Sequence, residues 1–177
     1  HGREWERYAL IKARICAGDH EQGAEMLKML RPFVFRRYID FGAFESLREM
    51  KGMIEREVRR KGMDGNVKLG RGGIREAEFI VQAFQLIRGG VDKRLQRREL
   101  LPVLSLLGEV GLLPIAVTEE LRDAYLFLRQ VEHRIQCLQD HQTQNLPASP
   151  LEQERLAYSL GYAGWEAFLP ALEHHRT

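Results

Sequence analysis

Cysteine is nearly missing from this chain. Cys16 and Cys137 stand alone, without the paired spacing of a structural zinc site or the density of a disulfide-stapled scaffold, and that usage fits a reducing cytoplasm. Long apolar runs are missing too. No stretch approaches the roughly 20 apolar residues of a membrane span, and no cationic leader precedes an apolar segment, so a soluble protein with no membrane partner is expected. A surplus of one charge is also lacking: 27 Lys and Arg face 25 Asp and Glu, which argues against a nucleic-acid partner held by bulk charge. Catalytic constellations are scarce. No Ser-His-Asp or Cys-His arrangement can be assembled. His133 has no second histidine four residues on and no H-E-x-x-H occurs, so no metal ligands are expected.

What the chain does hold is helical periodicity. Its 177 residues, 44% apolar and 29% charged, suffice for a sizeable core. Leu, Ala, Glu, Arg, Met and Gln fill long stretches, with few β-branched runs from which to build a sheet. The pattern predicts an all-α, multi-helix bundle, residues 1–177 forming one helical domain, with one short extended segment at about 66–70 before a glycine-rich turn. Helices are expected near 3–17, from 21 with Pro32 as an interruption, at 43–61 with Leu47, Met50, Ile54 and Val58 as the inner stripe, and at 74–87. More follow near 95–109, 117–140, 151–160 and 164–174, with Pro147 and Pro150 marking an extended crossing. Near the start, Trp5, Tyr8 and Ile11 or Lys12 should stack along one side, as core with snorkelling basic residues. The chain begins at His1 rather than methionine and enters a helical pattern at once, which points to a piece of something longer.

The most distinctive stretch is NVKLGRGGIREAEF, residues 66–79. Val67 and Leu69 alternate about Lys68 as a strand would, Gly70, Gly72 and Gly73 permit backbone that other residues resist, and Ile74 opens a helix. Unpaired amides at that helix start, ringed by Lys68, Arg71 and Arg75, would suit a phosphate group. The motif is neither a Walker loop nor a dinucleotide fingerprint, since it lacks Gly-Lys-Ser/Thr and the third glycine's spacing. A flexible connector with solvated arginines accounts for the same residues.

Polar residues break the apolar pattern at two further places. Arg75, Glu78, Gln82 and Gln85 fall in one narrow arc, which reads as a solvent-facing edge. Glu76 falls on the oily side beside Ile80, Ala83 and Ile87. With Gly73 as the N-cap it becomes the third helical residue, where a carboxylate answers free backbone amides. On the helix from 117, Leu121, Ala124, Leu128, Val131, Ile135 and Leu138 should face inward, with Arg129, Glu132, His133, Gln136 and Asp140 opposite them as a hydrogen-bonded network or a docking surface.

Four segments, GREWERYALIKAR, RPFVFRRYIDFGAFESLREMK, NVKLGRGGIREAEFIVQAFQLIRGG and LRQVEHRIQCLQDHQTQNLP, resemble bacterial glutamine synthetase adenylyltransferase. The glycine motif alone also resembles the helical domain of the related uridylyltransferase of nitrogen signalling. The resemblance implies a helical domain that follows the N-terminal nucleotidyltransferase unit, the unit that removes AMP from glutamine synthetase. It implies magnesium-assisted phosphorolysis of an adenylyl-tyrosine bond, with phosphate attacking and ADP leaving, and a second unit that attaches AMP from ATP. The family's Gly-Ser turn with its Asp-x-Asp pair occurs nowhere in these residues. The catalytic carboxylates are therefore expected in a missing upstream domain, and the chain alone is expected to be inert. Lys68, Gly70, Arg71, Gly72, Gly73 and Arg75 are then the nucleotide or phosphate contacts, with Glu76 and Glu78 ordering the arginines. The alternative is a non-catalytic module that docks glutamine synthetase or a nitrogen-regulatory signal protein, the glycine turn being only a joint.

Overall fold

Asp19 caps the start of a helix, its carboxylate accepting the amides of Glu21 and Gln22 at 2.9 and 3.1 Å, as an N-cap aspartate does. The computed structural model describes residues 4–37, 41–60, 62–63, 65–139 and 142–176. Among them are eight α-helices: α1 Glu4–Leu10, α2 His20–Val34, α3 Phe41–Arg60, α4 Ile74–Arg88, α5 Leu100–Glu109, α6 Ile115–Gln139, α7 Pro150–Ser159 and α8 Trp165–Arg176. The all-α class read from the sequence is the one observed. No described helix is long and apolar enough to cross a membrane. The side chains of Leu47, Met50 and Ile54 lie outside the described residues, as do Lys61 and Asp140.

The chain divides into two compact units, residues 1–53 with 79–113 and residues 54–78 with 114–177. In the first unit, Tyr8, Ile11, Val34 and Leu86 form a buried cluster with Phe33, Phe35 and Phe79 against it. Trp5 is exposed rather than part of this core. Arg7 takes the inward place, its Nε and Nη2 donating to the Val34 carbonyl at 3.2 and 3.1 Å. That oxygen closes α2 and has no helical partner of its own. Pro32 does not interrupt α2. It sits in the last turn, where its ring forfeits a single backbone bond before the helix ends.

Two helix boundaries differ from the periodic expectation. The first helix stops at Leu10, and the amides of Lys12 and Ala13 reach back only three residues, to Ala9 and Leu10. Ile15 then lies on Gly23 of α2, where a Cβ would come within 2.7 Å of its Cγ1. Packing across the unit has overridden local propensity. Likewise the helix expected from residue 95 begins at Leu100, after a single 3-10 turn at Lys93–Leu95. Gln85 explains the delay: its Nε2 donates to the carbonyls of Leu95 and Arg97 at 2.6 and 2.7 Å. A helix started earlier would have claimed both oxygens.

In the second unit, α6, α7 and α8 enclose Leu128, Val131, Ile135, Leu156, Ala157, Phe168 and Leu172, together with Val67 and Ile74. Phe168 takes ring contacts from Phe127, Tyr162 and Trp165. Pro150 stands at the start of α7, where the missing N–H costs nothing. The glycine-rich turn is thereby tied at both of its ends, through Val67 before it and Ile74 after it, to the best-packed part of this unit.

Candidate functional site

Asn66 builds the turn. Its side-chain oxygen accepts the amides of Lys68 and Leu69 at 3.1 and 2.8 Å, and its backbone carbonyl accepts that of Gly70 at 2.8 Å. Asparagine is suited to this bend because its short amide imitates a backbone carbonyl. Extension is confined to the approach, where Asn66 forms an isolated antiparallel bridge with Asn145. The Val67 amide donates to Gln144 and the Leu146 amide to Gly65, each at 2.9 Å, and Asn66 Nδ2 meets Asn145 Oδ1 at 2.7 Å. Val67 to Leu69 therefore turn instead of continuing as a strand.

The amides expected to stand open are occupied. Gly73 donates to Gly70, Ile74 to Val67, Arg75 to Lys68 and Glu76 to Gly73, all within 3.1 Å. The Gly72 amide donates to Glu76 Oε2 at 3.1 Å, the capping role that its place in the first turn suggested. The glycines serve close approach, but of the protein's own backbone. Gly72 has φ +62°, and a Cβ on it would lie 1.8 Å from the Arg176 carbonyl oxygen; one on Gly73 would lie 2.7 Å from the Lys68 oxygen. Arg176 also donates from Nε to the Arg71 carbonyl at 2.9 Å. Gly70 is buried. What the turn presents outward is side-chain charge: exposed Arg71, and partly exposed Lys68 and Arg75. Arg75 Nη1 lies 3.6 Å from Glu78.

Three residues of the two polar stripes are buried, one or two from each, while Arg75, Glu78, Arg129 and Gln136 are partly exposed. Gln82 and Gln85 are 3% and 1% exposed, and Glu132 is 2% exposed. The spacing explains Glu132: it follows Leu128 by four residues and precedes Ile135 by three, so it belongs to the inward stripe of α6. His133 and Arg134 are exposed, as is Leu138, which the pattern had placed inside. Glu132 Oε1 lies 3.4 Å from Lys68 Nζ, and its Oε2 accepts from Arg129 Nη1 at 2.5 Å. This triad joins the glycine turn to α6, a link that no local motif announces. Tyr125, one turn earlier on α6, is half-buried. Burial pushes its phenol above the usual range, against the pull of Arg129 and with smaller help from Glu78 and Glu132. Among the described residues no group of His, Cys, Asp and Glu is arranged to hold a metal ion.

Against known proteins, residues 48–177 match the family described as GlnD PII-uridylyltransferase. The chain is 59% identical over 175 residues to the bifunctional glutamine synthetase adenylyltransferase/adenylyl-removing enzymes of Hahella chejuensis and Nitrosococcus oceani. It is 59% identical over 176 residues to that of Pseudomonas aeruginosa. Each match covers 99% of this chain and 18% of the relative, so the chain spans less than a fifth of the length of these curated relatives. With its glycine turn and α4 through α8 all inside the matched region, this chain belongs to the GlnD PII-uridylyltransferase family.

Proposed function

We propose that the chain is the helical part of the deadenylylating half of a bifunctional enzyme that adds AMP to, and removes it from, a tyrosine of glutamine synthetase. Removal proceeds by phosphorolysis: a phosphate oxygen attacks phosphorus, the bond to the tyrosine oxygen breaks, and ADP leaves with the tyrosine restored. Similarity over 99% of the chain to the bifunctional relatives supports the reading. The metal-binding carboxylates belong to a domain outside these 177 residues, which hold no Asp-x-Asp pair, so the chain alone is inactive. Magnesium is bound by that domain, where phosphate is substrate and ADP product, and ATP serves the second unit that attaches AMP. The partners are glutamine synthetase and a nitrogen-regulatory signal protein, in the cytoplasm, and the two compact units act there as one helical domain.

The observation that carries the reading is the concentration of Lys68, Arg71 and Arg75 about one rigid turn. Phosphoryl transfer gathers negative charge, and fixed cations stabilise it without reorganising during the reaction. With the amides of Gly72 and Gly73 engaged inside the protein, the contribution comes from side chains, while Gly70, Gly72 and Gly73 shape the turn. Glu76 holds it closed and Glu78 steadies Arg75. Arg71→Ala and Arg75→Ala in the longer enzyme are expected to slow phosphate-dependent release of ADP from adenylylated glutamine synthetase by about tenfold or more. An unchanged rate would remove the turn from the chemistry.

One observation favours a second reading. Because Gly72 and Gly73 accommodate the protein's own carbonyls, the turn also fits a structural joint in a module that docks glutamine synthetase or the signal protein. Under that reading the same two substitutions leave phosphorolysis intact, and alanine at exposed His133 and Arg134 weakens complex formation instead.

A further inference from the structure

Glu132 takes a formal charge into the core of the second unit, among Leu128, Val131 and Ile135. A carboxylate there is costly unless cations pair with it, and it has gathered two, Lys68 and Arg129, one on each oxygen. One negative charge balances only one of them. The pair retains a surplus positive charge, and the side chains of Lys68 and Arg129 are 32% and 35% exposed. Free surface lysines and arginines sweep many rotamers, whereas these two are anchored from below to one buried group, so little ordering is required when an anion arrives. Arg129 offers a fork of five N–H groups and directs Nη1 at Glu132; the ammonium of Lys68 brings three protons. Tyr125 adds a neutral hydroxyl within the electrostatic reach of Arg129, Glu78 and Glu132.

We infer that Lys68 and Arg129, set side by side by the buried carboxylate of Glu132, form a binding site for a phosphoryl dianion. The inference rests on the phosphorolytic reading above and adds to it a residue of α6, Arg129, and a positioning residue, Glu132, beyond the glycine turn. A phosphoryl group suits the site because its several oxygens can engage an arginine fork and a lysine point charge together. A carboxylate ligand brings fewer acceptors and a single charge.

Inorganic phosphate and the phosphates of a nucleotide share this chemistry, and three titrations of the 15N-labelled chain separate them. Inorganic phosphate, ADP and adenosine are each followed through the amides of Lys68 and Leu69 and the Nε–H of Arg129. Saturable shifts with phosphate are expected, none with adenosine, and tighter binding of ADP than of phosphate would assign the site to the nucleotide. Lys68→Met and Arg129→Gln should each raise the midpoint about tenfold or more, while the surface substitution Arg122→Gln leaves it unchanged. Absence of a saturable shift with both phosphate and ADP overturns the site on the unsubstituted chain alone, whatever the folding of the variants. So does a shift that survives both substitutions. Such a failure leaves the proposed activity untouched, since that is read from ADP release by the longer enzyme. Saturable binding here with no ADP release there would remove the activity and keep the site.

Discussion

The carbonyl oxygen of Arg176, at the end of α8, occupies the place that a side chain on Gly72 would need, 1.8 Å from an ideal Cβ. Gly72 also holds φ +62°, a conformation that costs an L-residue about 1–2 kcal/mol by itself. Gly72→Ala is therefore expected to lose roughly 2–4 kcal/mol, because backbone and not a flexible side chain must yield. Gly161, in the same unit at φ +86°, has nothing within 4 Å of its Cβ position. Gly161→Ala should cost only about 1–2 kcal/mol. Urea denaturation of both variants checks the contrast, and equal losses would refute the close approach at Gly72.

Gln85 supports the start of α5 from the buried side of α4. With its Nε2 removed, the carbonyls of Leu95 and Arg97 lose their donor, and Leu95 is itself fully buried. Gln85→Leu should cost roughly 2–4 kcal/mol, since each stranded acceptor costs about 1–3. Gln85→Glu should cost no less, for it turns a donor into an acceptor facing two acceptors. Loss of amide-exchange protection at 93–99 in either variant would localise the damage.

Much of this fold was legible. Helices α4, α6, α7 and α8 fell within a few residues of their periodic bounds because their stripes are long and their ends marked by Gly89, Pro150 and Gly164. The misplaced ends, at Leu10 and Leu100, are set by contacts with a neighbouring element and not by the stripe itself: Ile15 on Gly23, and Gln85 beneath Leu95 and Arg97. Within the site, the turn, its cations and the capping by Glu76 could be read locally. The pairing of Lys68 with Glu132 could not, since it joins elements far apart in sequence. Glu132 itself could have been placed inside by counting four residues from Leu128, but charge suggested the outside. Asn66 opens the motif, but its side-chain bonds to the Lys68 and Leu69 amides emerge only once the turn is formed.

His175 stacks on Phe127 with ring centroids 4.4 Å apart. Burial, then the neighbouring His174, hold it below the usual histidine value of 6.5, against a smaller opposite pull from Asp123. The unfolded chain therefore binds the proton more readily than the folded one, and stability rises with pH between the two values. The contribution is fully present above about pH 6.5, begins to fall as pH drops through that value, and is lost below the depressed one. His175→Gln should flatten this slope. Urea midpoints for both proteins between about pH 8 and pH 5 test it; parallel curves would show that His175 does not titrate differently on folding.

Glu132, Lys68 and Arg129 form a set whose stability should be sharply non-additive. Glu132→Met leaves two cations that are already a third exposed and can turn to water, so roughly 1–2 kcal/mol is expected. Lys68→Met together with Arg129→Met strands the carboxylate in the core instead, and about 3–5 kcal/mol should be lost. Adding Glu132→Met to that pair removes the buried charge and should recover most of the loss, because an apolar triad of similar volume needs no counter-ion. The decisive comparison is therefore between the double and triple variants in the same denaturant series. Equal stability of the two would mean that the Glu132 charge is compensated elsewhere, and would leave Lys68 and Arg129 without the fixed geometry on which the phosphoryl site depends.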